Sequence, residues 1–177
     1  MVLMPAPRSR RGRLKRFALA AALRILIGGV STAHPNESRP ASAASNTIAP
    51  SARPAAASVD AFHSALRRGD TKSALSYLAE DALIFESGGA ERSKAEYAAH
   101  HLGEDAAFSQ AVPSRVTRRH GAAAGNIAWI ASEGRTTGTY KGKPVDVVTT
   151  ETIVLRRSGA NWKIVHIHWS SAAAGGK

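Results

Sequence analysis

Trp162-Lys163-Ile164-Val165-His166-Ile167-His168-Trp169-Ser170, close to the C-terminus, carries the period of a β-strand. Successive strand side chains point to opposite faces. Strict alternation puts Trp162, Ile164, His166, His168 and Ser170 on one face and Lys163, Val165, Ile167 and Trp169 on the other. The same period runs back through stretches near 114–121, 126–139 and 144–156. Turns separate them at Gly121 to Gly125, Lys141-Gly142-Lys143 and Ser158-Gly159-Ala160-Asn161. Short connections between consecutive strands predict an antiparallel meander.

Upstream of Pro113 the period lengthens to that of a helix. Ser58 can cap a helix with Asp60 in its first turn and Val59, Phe62 and Leu66 on one stripe, ended by Gly69. Asp70 can cap a second helix, after which Ala82 to Glu86 reads as a strand closed by Gly88-Gly89. Ser93-Lys94-Ala95-Glu96 is a capping-box pattern opening a third helix, with Tyr97, His101, Glu104 and Phe108 along one stripe and Gly103 as a bend. Helices first and strands later predict an α+β fold with three helices on one face of the sheet.

The ends of the chain read differently. Of its 24 basic residues, Arg8, Arg10, Arg11, Arg13, Lys15, Arg16 and Arg24 lie within residues 1–33, which contain no acid. A basic segment, a short apolar run from Phe17 to Val30 and small residues at Ser31 and Ala33 have the order of a secretory leader cut after Ala33. Ser9-Arg10-Arg11-Gly12-Arg13-Leu14-Lys15 resembles a twin-arginine export signal except at Arg13, and Arg24, which interrupts the apolar run, suits the lower hydrophobicity of twin-arginine leaders better than an ordinary secretory leader. An unprocessed basic tail is the competing reading. Residues 34–57 hold Pro35, Pro40, Pro50 and Pro54 among Ala and Ser and read as a disordered linker. The folded domain is expected over 58–172, with 173–177 a flexible tail.

Two stretches, Ser93 to Asp105 and Trp162 to Ser170, carry a resemblance beyond element order to the nuclear transport factor 2-like superfamily, especially its SnoaL-like bacterial members. The resemblance covers about residues 58–172. It implies a strongly curved antiparallel sheet closed by three helices into a cone-shaped pocket. Such proteins include isomerases, dehydratases, cyclases and epoxide hydrolases beside proteins that only bind or assemble, so fold leaves the chemistry open.

Candidate site residues follow from chemistry and facing. His166 and His168, two residues apart on one strand face, are placed to share a ligand, a proton network or a metal, since imidazole titrates near neutrality and ligates metals. Hydrogen-bonded histidines of a half-buried sheet are the alternative. His101 sits four residues after Tyr97 and four before Asp105, a spacing at which the carboxylate can orient the imidazole. His101 held by Asp105 and facing His166 or His168 across the pocket is thus one expected acid–base arrangement; a surface His–Asp pair is the other reading. Glu86 and Glu133 offer further carboxylates, while Tyr97, Phe108 and Trp129 offer apolar ring area for a ligand.

The chain has no cysteine, so it has no disulfide scaffold or thiolate site. Gly-rich phosphate loops, a His-Glu-x-x-His helix and a Gly-x-Ser-x-Gly elbow are absent from the sequence. Neither cofactor nor metal is expected. Residues 34–177 hold 17 basic and 13 acidic residues, too even a balance for a nucleic-acid surface. No apolar run reaches the ~18 residues of a membrane-spanning helix, so no membrane partner is expected after leader removal.

These readings predict a periplasmic or secreted domain that binds a small apolar or ring-containing molecule, without a defined turnover. A cofactor-independent lyase, isomerase or hydrolase using His–Asp chemistry is the alternative, and a purely structural dimerisation module is the third. Apolar Val165, Ile167 and Trp169 on a face uncovered by helices predict a homodimer through the sheet.

Overall fold

The computed structural model describes residues 46–175. The leader, residues 34–45 of the Pro-rich segment and the last two residues lie outside the described residues. A short strand β1 (Thr47–Ile48) and one 3-10 turn (Pro50–Ala52) lead into helix α1 (Arg53–Arg67). Helix α1 thus starts five residues before Ser58, and ordered structure extends into the stretch read as linker. Pro54 lies in the first helical turn, where its missing N–H costs no hydrogen bond, and Ala55 to Ala57 are strong helix formers. The helix buries Ala55, Ala56, Val59, Phe62, Ala65 and Leu66.

Asp70 caps α2 (Thr71–Ser76) by accepting from the Ser73 N–H at 2.9 Å. Strand β2 (Leu78–Glu86) turns through Ser87 and Gly88, both at positive φ, into the short β3 (Gly89–Glu91). Ser93 caps α3 (Lys94–His100), and the Glu96 carboxylate accepts from the Arg92 N–H at 2.6 Å. The expected third helix is broken at His101, two residues before the glycine expected to bend it, so α4 (Leu102–Ala111) is a separate segment.

Strands β4 (Ser114–Ala124), β5 (Ile127–Tyr140), β6 (Lys143–Ser158) and β7 (Asn161–Ala173) form the predicted antiparallel meander. The sheet has seven strands in the order β1-β4-β5-β6-β7-β2-β3, with β2 parallel to β7 and β1 parallel to β4. It is curved, and the class is α+β.

Cross-strand register divides the helix-covered inner face into layers. Ile84, Ile167, Ile153, Ile130, Gly121 and Ile48 lie side by side across six strands. The first four are essentially inaccessible to water, and each fully buried Ile contributes about 2 kcal/mol of transfer free energy. Gly121 admits β1 to this layer, because a Cβ there would sit 2.6 Å from Ile130 Cδ1 and 3.0 Å from Ile48 Cδ1. The next inner row is polar: Glu86, Trp169, Glu151, Ser132 and Arg119.

One irregularity overturns an expected facing. Val154 pairs with His166 but Leu155 pairs with Ile164, leaving Val165 as the extra residue of a β-bulge. A one-residue insertion reverses every later side chain. Trp162 and Ile164 face inward as expected; beyond the bulge, however, Ile167 and Trp169 face inward and His166, His168 and Ser170 face outward.

Candidate functional site

Glu86 ends β2 on the polar inner row and is half-buried. Its side chain has no hydrogen-bond partner among the described residues. Burial, and secondarily the charge of Asp105, push its carboxyl up to about 7. Asp105 stands in the first turn of α4 and accepts a 2.8 Å hydrogen bond from the Tyr97 hydroxyl. Burial raises the Asp105 carboxyl too, against the opposing effects of that hydrogen bond and of His101. Tyr97 is fully buried, and burial together with the Asp105 and Glu86 charges holds its hydroxyl protonated. Two carboxyl groups thus lie near enough to feel each other's charge, and the phenol serves only Asp105.

A second polar group occupies the other side of Trp169. Glu151, inward on β6, accepts from Trp169 Nε1 at 2.8 Å and lies 2.7 Å from His63 Nε2 on α1. Burial favours its neutral form, but His63, the indole N–H and Arg119 outweigh that and hold its carboxyl below the ordinary value. Arg119 donates to Ser132 at 3.1 Å and to Asp60 of α1 at 2.5 Å. Trp169 lies between the groups, its ring 6.5 Å from both Phe62 and Tyr97. An open depression of about 290 Å³ at the β2–β3 hairpin is lined by Phe85, Glu86, Gly88, Gly89, Ala90 and His168.

The expected residues are only partly brought together. Tyr97, Asp105 and Glu86 gather on the inner side. Phe108 lies farther along α4, edge-on to Tyr140 with ring centres 5.1 Å apart. His101 contacts the buried Glu91 carboxylate rather than being held by Asp105, whose hydrogen bond goes to Tyr97. His101 does not face His166 or His168, because the bulge sends both to the outer face. There His166 Nδ1 lies 2.9 Å from the Leu83 carbonyl oxygen, and Phe85 packs edge-on to both imidazoles. Trp129 is also on the outer face, 43% exposed, in register with Val154. Glu133 is exposed beside Arg118 at 3.7 Å.

The sequence reading passed over His63, Glu151 and the inward role of Arg119. Each had a signal. Glu151 has the strand parity of buried Ile153 and Leu155, and His63 lies four residues after Val59, beside Phe62, on the apolar stripe of α1. Arg119 has the strand parity of Gly121 in the inner layer, and its head is nearly enclosed between Asp60 and Ser132. Among the described residues no three His, Asp or Glu side chains gather in a metal-holding group.

The curved sheet with its helix-covered inner face is that of the nuclear transport factor 2-like class. The family model of the SnoaL-like domain matches residues 56–174, and the chain belongs to that family. A Shewanella frigidimarina protein provisionally described as a ketosteroid isomerase is 35% identical, with a TM-score of 0.66 over 70% of this chain and 100% of that one. A Streptomyces avermitilis protein provisionally described as a dehydratase of the nuclear transport factor 2-like family is 19% identical, with a TM-score of 0.60 over 70% and 98% of the two chains. The association domain of the C. elegans CaMKII is 15% identical, with a TM-score of 0.53 over 66% and 92%. The last two likenesses concern the fold alone. No curated protein matches the chain significantly in sequence.

Proposed function

We propose that the domain binds a small, ring-containing molecule on the inner face of its sheet and that Glu86 accepts a proton from a carbon beside a carbonyl group. The observation carrying this reading is Glu86 itself: a half-buried, unpaired carboxyl beside Asp105, raised to about 7. A general base works best with its affinity for protons near the working pH, and such groups contribute about 10²–10⁴-fold to rate. Tyr97 engages one oxygen of Asp105, which keeps that charge close to Glu86. The description of the Shewanella relative as a ketosteroid isomerase is in keeping with such chemistry.

A substrate-independent test uses 5-nitrobenzisoxazole. A desolvated base removes the C–H proton of its isoxazole ring, the N–O bond breaks, and a coloured cyano-phenolate forms. The rate is expected to rise through a midpoint near 7, as Glu86 ionises, and to fall at least ~100-fold in Glu86→Gln. A rate equal in both proteins would refute the assignment.

Two wider readings belong to the same proposal. The leader supports export to the periplasm or beyond; it is tested by N-terminal sequencing from the native host, where an intact Met1 or Val2 would contradict it. Homodimerisation is supported by outward Phe85 and Trp129, 37% and 43% exposed, which replace Val165, Ile167 and Trp169 as the apolar surface expected to associate. The neighbour named as an association domain shares the fold.

A further inference from the structure

The bulge at Val165 leaves two imidazoles on the outer face of β7 that the inner-face chemistry does not use. His166 and His168 stand two residues apart on the same side of one strand, with ring centres 6.5 Å apart and ring planes inclined at 48°. His166 Nδ1 lies 2.9 Å from the Leu83 carbonyl oxygen. A carbonyl only accepts, so Nδ1 carries the proton and donates it, and the lone pair of the neutral ring is left on Nε2. Donation of one ring N–H to a backbone carbonyl is how metal-ligating histidines fix their tautomer and orientation while the other nitrogen takes the ion. His168 is exposed, opens on the depression at the β2–β3 hairpin and has no hydrogen-bond partner among the described residues. Phe85 packs edge-on to both imidazoles, 5.2 and 6.2 Å from their centres, and gives the pair an apolar wall. Their register partners, Leu83 and Phe85 on β2 and Val154 and Thr152 on β6, carry no charge that would repel a cation.

We propose that His166 and His168 together bind a divalent ion of the zinc class on the outer face of the sheet, His166 through Nε2. Imidazole nitrogen suits zinc, copper and nickel, whereas magnesium and calcium call for oxygen ligands, which this pair does not supply. An ion held by both rings stands about 2.0–2.1 Å from each ligating nitrogen. The ring centres must therefore draw closer than they stand, and rotation of the exposed His168 side chain brings this about while Leu83 keeps His166 in place. Two imidazoles leave the remaining tetrahedral positions to water, so the ion is an exchangeable one rather than a closed structural centre. The assignment rests neither on Glu86 as a base nor on the proposed dimer.

The test is calorimetric titration of the untagged full chain, stripped by chelator, with zinc chloride. Wild type is expected to take up no more than one zinc per chain, in a step that magnesium in excess leaves unchanged. His168→Ala, at an exposed position, is expected to weaken this uptake at least ~10-fold, since loss of even an outer-shell partner costs a metal site about 10–100-fold. His166→Gln is expected to do the same, and thermal unfolding without zinc checks that both variants are folded. His100→Ala, which removes an exposed imidazole of α3, should leave the uptake as it was. In ¹⁵N spectra of histidine-labelled protein, zinc should shift the His166 Nε2 signal while Nδ1 stays protonated. No zinc uptake by wild type, uptake that survives in both β7 variants, or coordination through His166 Nδ1 overturns the assignment. The benzisoxazole reaction is read separately, so loss of the metal site leaves the Glu86 assignment standing, and the converse holds too.

Discussion

Replacing Glu86 with Gln removes a group that folding makes harder to ionise. In the unfolded chain its carboxyl titrates near the ordinary 4.5, whereas in the fold burial and then the charge of Asp105 push it up to about 7. Over that interval the native state keeps a proton that the unfolded chain has released. Stability must therefore be greatest below the lower value, fall as pH rises through the window, and level off above the upper one. Each unit of difference corresponds to about 1.4 kcal/mol, so a sealed group would lose about 3 kcal/mol across the window. Glu86 is only half-buried, and screening by water reduces the expected loss to about 1–2 kcal/mol. Gln carries no such loss. Urea unfolding across the acid-to-neutral range should show Glu86→Gln matching wild type near pH 4 and exceeding it by about 1–2 kcal/mol near pH 8. A difference that does not change with pH, or a variant that is the less stable of the two near pH 8, would refute the reasoning.

The outer-face histidines supply a contrasting case: His166→Ala and His168→Ala should each leave the benzisoxazole rate within about twofold of wild type, and a ~100-fold loss would put them back at the site. Tyr97→Phe removes the hydroxyl that serves Asp105 in a buried setting and should cost about 1–3 kcal/mol in urea unfolding; no loss would mean that water satisfies the carboxylate. Gly121→Ala pushes a methyl group against Ile130 and Ile48 and should cost about 1–3 kcal/mol in the same assay. Trp129→Glu, on the outer face, should turn the proposed dimer into a monomer by light scattering without altering the benzisoxazole rate, and a dimer that persists would place the contact elsewhere.

Element type was largely readable because hydrophobic periodicity is a local property. The four long strands lie close to their expected spans, and the Asp70 and Ser93 caps hold α2 and α3 as their side chains foretold. The start of α1 departs from the expected Ser58 cap because a helical first turn tolerates Pro54 despite the prolines around it. Facing along β7 was lost at Val165, where one bulged residue carries two imidazoles to the other side of the sheet. A trace of the bulge is present in the apolar pattern, which falls on even positions at Trp162 and Ile164 and on odd positions at Ile167 and Trp169. At the site, local spacing pairs His101 with Asp105, but Asp105 accepts from Tyr97 and His101 contacts Glu91 instead. The contacts that assemble the inner face join residues distant in sequence: His63 to Glu151, Asp60 to Arg119, and Glu86 beside Asp105. Helical or strand periodicity cannot show such contacts, because they depend on which strands become neighbours.

The most direct measurement is the titration of the Glu86 carboxyl carbon by ¹³C NMR in protein labelled at glutamate, with Glu86→Gln used to assign the signal. The account predicts a midpoint near 7, more than two units above a solvated glutamate. A midpoint at the ordinary value of 4.5 would show Glu86 facing bulk water and would contradict the proton-accepting site.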